Sequence, residues 1–404
     1  MSFTIIENCR FCHSKLIDCI DLGESFSLAG GFMTDVSDFK TEKVYPLSLS
    51  FCNNCYLLHC KQQINSDILF KNNYFYYSSM IPMLVNHFNN YAENLAESVE
   101  NTSKYQIIEI GCNDGVMLKP LIQKGFKVIG VDPSNTVKKC IDDGLTIYNS
   151  YFNVELAEYI VQKHGLSDLF LSSNSFAHID NMHSIMNGIK KVLRPDGFAI
   201  IEVHYSKVII DELQFDFIYH EHMSYYNITS FYKIANLFQM SLEKVEYTKI
   251  HGKSIRVYLK NSSQKELTNE LNEIIKNESY LCRLETYTVF NQKLKEWKVS
   301  ILNILKPFRK LKIYGYGSGG RTNIILQFLD LNLEEIIDDA PSKINSYIPV
   351  YHKKIKSSQI IIDFPPDLLI ILAWPYATDI LEKLKTIYKG KCLIPLPNIK
   401  LFDC

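Results

Sequence analysis

The run Tyr219-His220-Glu221-His222-Met223-Ser224-Tyr225 places two imidazoles, a carboxylate and two phenols within seven residues. Such a cluster suits proton abstraction beside a carbonyl, where one group removes the proton and another stabilises the enolate. It is not the H-E-x-x-H pattern of a zinc protease, because the histidines are only two apart and cannot share one helix face. A strand or an irregular loop would let them act together. The competing reading is an aromatic-rich core segment, so the elements that must carry the cluster decide its meaning.

Cysteines supply the second chemical signal. Of eleven, four form two C-x-x-C pairs, Cys9/Cys12 and Cys52/Cys55. Each pair can form a tight knuckle presenting two thiolates to one ion, and two knuckles make a closed tetrahedral zinc site. Closed coordination leaves no position for substrate, so the predicted metal is structural. The other cysteines, Cys392 and Cys404 among them, read as small apolar residues or surface thiols. The long gap between the pairs must hold its own strands, including Val44 to Phe51.

A chain of 404 residues predicts more than one core. The net charge of -1 argues against a nucleic-acid-coating surface, and no apolar run reaches membrane-spanning length. The beginning of the chain lacks a signal-peptide pattern, so a cytoplasmic protein without nucleic-acid or membrane partners is expected.

After the first 75 residues, a helical stretch through Met83 to Leu95 leads into the apolar strand Gln106 to Ile110. Glycines at Gly111 and Gly115 follow, then a second buried strand, Lys127 to Asp132. This is the spacing of a strand-helix-strand unit with right-handed crossover. Asp132, ending the second strand, is placed to accept hydrogen bonds from ribose hydroxyls. Further strands are read at Asp168 to Ser173 and Phe198 to Val203, the latter after a helix and the turn Arg194-Pro195-Asp196-Gly197. Residues 263–306 read as one or two helices with Trp297 in a buried stripe. The last part opens with Gly315-Tyr316-Gly317-Ser318-Gly319-Gly320, a G-x-G-x-x-G that could cradle a phosphate at a helix N-terminus or simply satisfy packing. More strands are expected at Glu335 to Asp338, Gln359 to Ile362, Leu368 to Ala373 and Cys392 to Leu396. The predicted fold is thus α/β: a four-cysteine zinc module (1–75), a central Rossmann-like domain (76–262), a helical connector (263–306) and a C-terminal Rossmann-like domain (307–404).

The form Glu109-Ile110-Gly111-Cys112-Asn113-Asp114-Gly115 resembles motif I of the class I S-adenosylmethionine-dependent methyltransferases. With Cys9-Arg10-Phe11-Cys12, Cys52-Asn53-Asn54-Cys55, Tyr74-Phe75-Tyr76-Tyr77-Ser78-Ser79, Tyr219-His220-Glu221-His222, Ile250-His251-Gly252-Lys253-Ser254 and Ala373-Trp374-Pro375-Tyr376, the order resembles the sugar C-methyltransferases acting on nucleotide-linked 4-keto-deoxysugars. Two positions depart from that family: Lys253 stands where a second glycine is usual, and the C-terminal loop lacks its G-K-G form.

The resemblance implies S-adenosyl-L-methionine as cofactor, structural Zn2+ on Cys9, Cys12, Cys52 and Cys55, and a nucleotide-diphosphate 4-keto-deoxysugar as partner, methylated at C3 in the biosynthesis of a branched-chain sugar. The expected oligomeric state is monomer or homodimer. It implies His222 or Glu221 as base, and Tyr219 and Tyr76 as donors to the developing oxyanion. Glu109, Gly111, Asn113, Asp114, Gly115, Asp132 and Asn174 are expected around the cofactor. His178, His220, His251, Arg256 and Arg321 are expected around the substrate, the two arginines toward its diphosphate. The alternatives are an O- or N-methyltransferase acting on a sugar, which needs no enolising base, a zinc-module RNA methyltransferase, which predicts basic-aromatic strips, and a non-catalytic relative.

Overall fold

The computed structural model describes residues 3–71, 77–263 and 266–404. In chain order its strands are β1 (Phe3–Ile5), β2 (Ile17–Phe26), β3 (Tyr45–Phe51), β4 (Leu58–Cys60), β5 (Gln62–Ile64), β6 (Gln106–Ile110), β7 (Lys127–Val131), β8 (Ile147–Tyr148), β9 (Ser167–Ser173), β10 (Leu193–His204), β11 (Ser224–Tyr225), β12 (Ser241–Thr248), β13 (Ser254–Lys260), β14 (Ile313–Tyr316), β15 (Glu335–Ile337), β16 (Ile355–Lys356), β17 (Leu368–Ile371), β18 (Lys391–Ile394) and β19 (Lys400–Asp403).

Seven of them form the central sheet in the order β12-β13-β10-β9-β6-β7-β8. β6, β7, β8, β9 and β10 pair in parallel, whereas β13 runs antiparallel to both its neighbours. Alternation along each strand explains the two buried faces. Ile108 and Ile110 look toward helices Met182–Val192 and Ile228–Leu237, while Ile107 looks toward helix Pro82–Glu97. Pro82 starts that last helix, where its missing N–H costs nothing. The order reverses at β6, and in such sheets ligands bind outside the carboxyl ends at the reversal. The motif loop after β6, Asp132 after β7, Asn174 after β9 and His204 at the end of β10 therefore share one edge.

The N-terminal sheet has the order β11-β4-β3-β2. Its outer strand, β11, comes from the His-Glu-His run, pairing Ser224 with His59 and Tyr225 with Leu58. One continuous core joins this sheet to helix Leu284–Leu305, whose Trp297 donates to the Pro395 carbonyl, and to the C-terminal sheet.

The C-terminal sheet runs β16-β15-β14-β17-β18-β19, parallel except for β19. Three expectations are corrected here. Gln359–Asp363 is a helix rather than a strand, because only Ile361 needs burial and the flanking side chains face outward. Cys392 and Cys404 are joined in a disulfide between β18 and the chain end, not left as separate thiols. The Arg194 to Gly197 segment is an irregularity inside β10, where the register with β9 shifts, rather than a turn before it.

The glycine fingerprint is filled with protein. A Cβ at Gly315 would meet Leu372 Cδ1 at 2.5 Å, one at Gly317 would meet Ala373 Cβ at 2.4 Å, and one at Gly320 would meet Ala29 Cβ at 2.9 Å. Asp338, at the ribose position of such a unit, accepts instead from Ser318 N and Oγ and from Lys343 Nζ. These glycines serve packing. Among the described residues, no helix is long and apolar enough to cross a membrane.

Gly317 has φ +107° as well as no room for a side chain. Gly317→Ala is therefore expected to lower the unfolding free energy by about 1–3 kcal/mol. An unchanged urea midpoint would contradict the packing role.

Candidate active site and metal centre

The thiols of Cys9, Cys12, Cys52 and Cys55 lie within 4.8 Å of one another. Four sulfurs around a zinc ion sit about 3.8 Å apart when each Zn–S bond is about 2.3 Å. The two knuckles share one backbone design. His13 N donates to the Cys9 carbonyl and Tyr56 N to the Cys52 carbonyl, and both residues take the left-handed conformation, φ 58°. Phe11 N and Cys55 N turn toward the Cys9 and Cys52 sulfurs at 3.5 and 3.3 Å. Hydrogen bonding with Cys52 pushes the Cys9 thiol up to about 12, as expected when crowded thiols cannot all ionise without a cation. The donor set fits zinc. The knuckles also pack into the core of the central sheet through Cys9, Phe11, Cys52 and Cys55.

At the carboxyl edge of β6, Gly111 has φ 67° and lies against Ser175, which leaves 2.3 Å for a Cβ. Gly115, φ 77°, meets Cys140 Sγ in the same way. Asp132 fastens the loop: Oδ2 accepts from Asn113 N at 2.9 Å, and Oδ1 accepts from Ser134 N and Oγ at 2.8 and 2.6 Å. A carboxylate retains lone pairs beyond these bonds, so a ribose hydroxyl can still approach. Asn113 Oδ1 accepts from Ser78 N, and Asp114 accepts from Ser79 N and Oγ, which ties the Tyr77-Ser78-Ser79 segment over the motif loop. A 230 Å³ cavity lies beside it, lined by Tyr77, Ser79, Met80, Asp114, Lys119 and others. Glu109 is buried with Oε2 lacking a partner among the described residues, and burial beside Asp132 holds its carboxyl well above the usual range. A cationic amine, such as that of a methionine group, would satisfy it. Tyr76 lies outside the described residues.

The His-Glu-His run folds as a turn, with His222 N donating to the Tyr219 carbonyl at 3.0 Å. The turn sends the two imidazoles to different places. His220 is wholly buried; its ring nitrogen donates to the Pro46 carbonyl in β3 at 2.9 Å, and burial lowers its pKa to about 4. Glu221 Oε1 accepts from Gly30 N at 3.0 Å, and burial raises its carboxyl. The carboxylate thus faces the N-terminal sheet rather than His222. His222 Nδ1 donates to the Phe217 carbonyl at 3.0 Å, leaving Nε2 as the lone-pair nitrogen. Its ring is flanked by Tyr219 at 3.9 Å, Phe217 at 4.7 Å and His178 at 5.1 Å. Burial first, and His178 second, hold its pKa well below 6.5. His178 is in turn oriented by donating Nδ1–H to the Glu221 carbonyl at 2.5 Å, and burial lowers its pKa too. His251, with φ 51°, is lowered by burial to about 4.

Arg321 reaches this group from the C-terminal sheet's first helix. It grips buried Asp216 through Nε and Nη2 at 2.8 and 2.9 Å, and lies over the rings of Phe217 and Trp374. Trp374 Nε1 donates to the same carboxylate. Arg256 stands elsewhere: its donors go to Glu202 and Glu246, and its plane covers Tyr91 at 3.4 Å. Asn174, φ 57°, donates N–H to the Glu202 carbonyl. Glu202 also pairs with His87 and is lowered despite its burial.

Sequence reasoning did not single out Asp216, His87, Glu202 or His204. Asp216 carried a signal as an acid just before the His-Glu-His run, and its partner Trp374 stands in a quoted motif. The others show nothing until the strands are assembled.

Three family models match the chain: “Putative zinc binding domain” at residues 9–70, “Methyltransferase domain” at 85–245 and “C-methyltransferase C-terminal domain” at 249–397. C-methyltransferase NovU of Streptomyces niveus is 28% identical over 98% of this chain and 97% of its own length. The ubiquinone biosynthesis O-methyltransferase of Rickettsia prowazekii is 27% identical over 27% of the chain and 44% of its own length. Among solved structures, a magnesium protoporphyrin IX methyltransferase from Synechocystis with bound SAH covers 44% of this chain and 83% of its own, at 15% identity and TM-score 0.35. The fold assignment rests on the strand order and family models: a class I methyltransferase sheet with a four-cysteine cluster positioned for a metal.

Cys52→Ser is expected to reduce bound zinc from one ion per chain and to lower the melting temperature, checked by metal analysis and calorimetry. Full zinc content would remove Cys52 from the ligand set. Asp132→Ala frees Asn113 N and Ser134 from their common acceptor, and should weaken S-adenosylmethionine binding at least tenfold, about 1.4 kcal/mol. Unchanged calorimetric affinity would contradict the ribose role.

Proposed function

We propose that this chain, which is similar over nearly its whole length to a C-methyltransferase and matches methyltransferase and C-methyltransferase family models, methylates C3 of a nucleotide-linked 4-keto-deoxysugar with S-adenosylmethionine as donor. The observation that carries the chemistry is the state of His222. It is neutral, its Nδ1–H is held by a backbone carbonyl, and its Nε2 has no protein partner among the described residues. A general base needs an available lone pair on a fixed ring, and this histidine has both.

In the proposed reaction the ketone acidifies the adjacent carbon. His222 Nε2 takes the proton, the C–H electron pair moves toward the ketone oxygen, and the resulting carbanion carbon is the methyl acceptor. Bound S-adenosylmethionine supplies an electrophilic methyl group that needs no further activation. Glu109, Asn113, Asp114 and Asp132 would hold it at the β6 and β7 ends. Tyr219, packed on His222, and Tyr76 are assigned to the oxyanion. His178, fixed by the Glu221 carbonyl, keeps the base ring in place from its other side. Arg321, with its charge balanced by Asp216, is assigned to the polar end of the nucleotide sugar. Burial of His204, His220 and His222 keeps water from these rings and strengthens the interactions they make.

The test is mass spectrometry of a nucleotide-linked 4-keto-6-deoxyhexose incubated with the protein in heavy water. Gain of one methyl with cofactor, located on carbon by fragmentation, supports the reading. Methylation on oxygen or nitrogen sinks it. His222→Asn should lower turnover by about 10²–10⁴ while preserving cofactor affinity. Because the His222 pKa is depressed, its neutral form persists as pH falls through 6.5. The wild-type rate should hold level there and decline only at lower pH. A decline centred at 6.5 or above would assign the base elsewhere.

A further inference from the structure

His204 ends β10 at the carboxyl edge of the central sheet, paired with Ser254 of β13. The residue is 8% exposed, yet both ring nitrogens are buried and neither has a hydrogen-bond partner among the described residues. Polar atoms in that condition are rare, because each forfeits the water it would otherwise bind. The fold makes no use of the imidazole as such. Its one ring contact among the described residues is a face-on stack with Phe217 at 3.6 Å, which an apolar ring would make equally well.

The surroundings give these nitrogens a use. Phe217 is shared by three groups: His204 stacks on it, His222 lies 4.7 Å from it, and the Arg321 guanidinium lies 4.9 Å from it. His204 is therefore one aromatic ring from the assigned base. His222, His251 and Arg321 are also its electrostatic neighbours. The cofactor loops follow β6 and β7, whereas β10 lies two strands from β6, roughly 10 Å away. His204 consequently belongs with the acceptor.

We propose that His204 is a catalytic residue that contacts the acceptor, donating one ring N–H to the ketone oxygen on which enolate charge collects. This rests on the enolate reading above. When the adjacent C–H bond breaks, its proton goes to His222 Nε2 and its electron pair delocalises to the ketone oxygen. His204 keeps its own proton throughout and supplies a hydrogen bond that strengthens as the charge grows.

Stability and function then point in opposite directions at one residue, which a packing role would not produce. His204→Phe removes two unpartnered polar atoms and keeps the stack, so its melting temperature should equal or exceed the wild type by about 1–3 °C. Its kcat should fall at least about tenfold, with less change in KM and none in calorimetric S-adenosylmethionine affinity. His204→Gln, which restores a donor, should recover part of the loss. His204→Leu provides the apolar comparison should the Phe variant not fold. The assay is methyl transfer to a nucleotide-linked 4-keto-6-deoxyhexose. Apolar variants that turn over like a working wild type overturn the inference alone. A wild type that binds cofactor but neither exchanges deuterium into nor methylates such sugars overturns the enolate reading, and the inference with it.

Discussion

The pairing of Ser224 and Tyr225 with Leu58 and His59 is the interaction on which the rest of the site depends. It makes a segment that lies between central-sheet strands β10 and β12 in sequence an outer strand of the N-terminal sheet. Two residues of backbone pairing are too few to hold a strand by themselves, and side chains on both sides complete the attachment. Arg10, inside the first cysteine knuckle, donates to the Met223 carbonyl at 3.2 Å. His220 reaches the Pro46 carbonyl, and Gly30 N reaches Glu221. From the central sheet, the Ala177 carbonyl accepts from Met223 N at 2.7 Å. The loop carrying His222 is thereby fixed between two bodies. The four-cysteine cluster contributes by making the first knuckle, and so Arg10, a rigid point.

The second constraint is electrostatic. Burial lowers the pKa values of His178, His204, His220, His222 and His251, so these rings are neutral where a cluster of cations would repel itself. Arg321, which cannot lose its proton, is instead matched by the fully buried Asp216. The result is a region rich in donors and acceptors with little net charge of its own. A base there keeps its lone pair, and an anion formed there meets dipoles and one screened cation.

Much of this was legible in the sequence because it is local. The paired C-x-x-C spacing fixes its chemistry within four residues, β6 and β7 declare themselves as short apolar runs ending at glycine or a carboxylate, and β9 as an apolar run ending in Ser172-Ser173-Asn174. The connector helices follow from a polar stretch with periodic Leu, Ile and Trp297. What failed was long-range. Gln-Ile-Ile-Ile at 359–362 has the composition of a strand, but it folds as a short helix that buries only Ile361. The closeness of Cys392 and Cys404 depends on β19 folding back along β18. Nothing in Tyr-His-Glu-His tells which histidine meets Pro46 and which meets Phe217. That division belongs to a turn whose partners lie up to 191 residues away.

The glycine fingerprint of the last sheet carries the argument furthest. A G-x-G-x-x-G loop permits close approach of backbone to something, and the sequence cannot name the something. Here Gly315 and Gly317 admit Leu372 and Ala373, and Gly320 admits Ala29 of the N-terminal segment that also presents Gly30 N to Glu221. Asn323, one turn further on, donates to the Ala29 carbonyl. The helix that a nucleotide-binding unit would aim at phosphate is thus aimed at the segment holding the His-Glu-His turn, and its Arg321 reaches the Asp216 that precedes the turn. A glycine loop able to bind phosphate and one able to dock a protein segment need the same absence of side chains. The structure uses that absence to bring a third body against the site, so the fixed charge beside His222 and His204 comes from a helix more than 90 residues later in the chain.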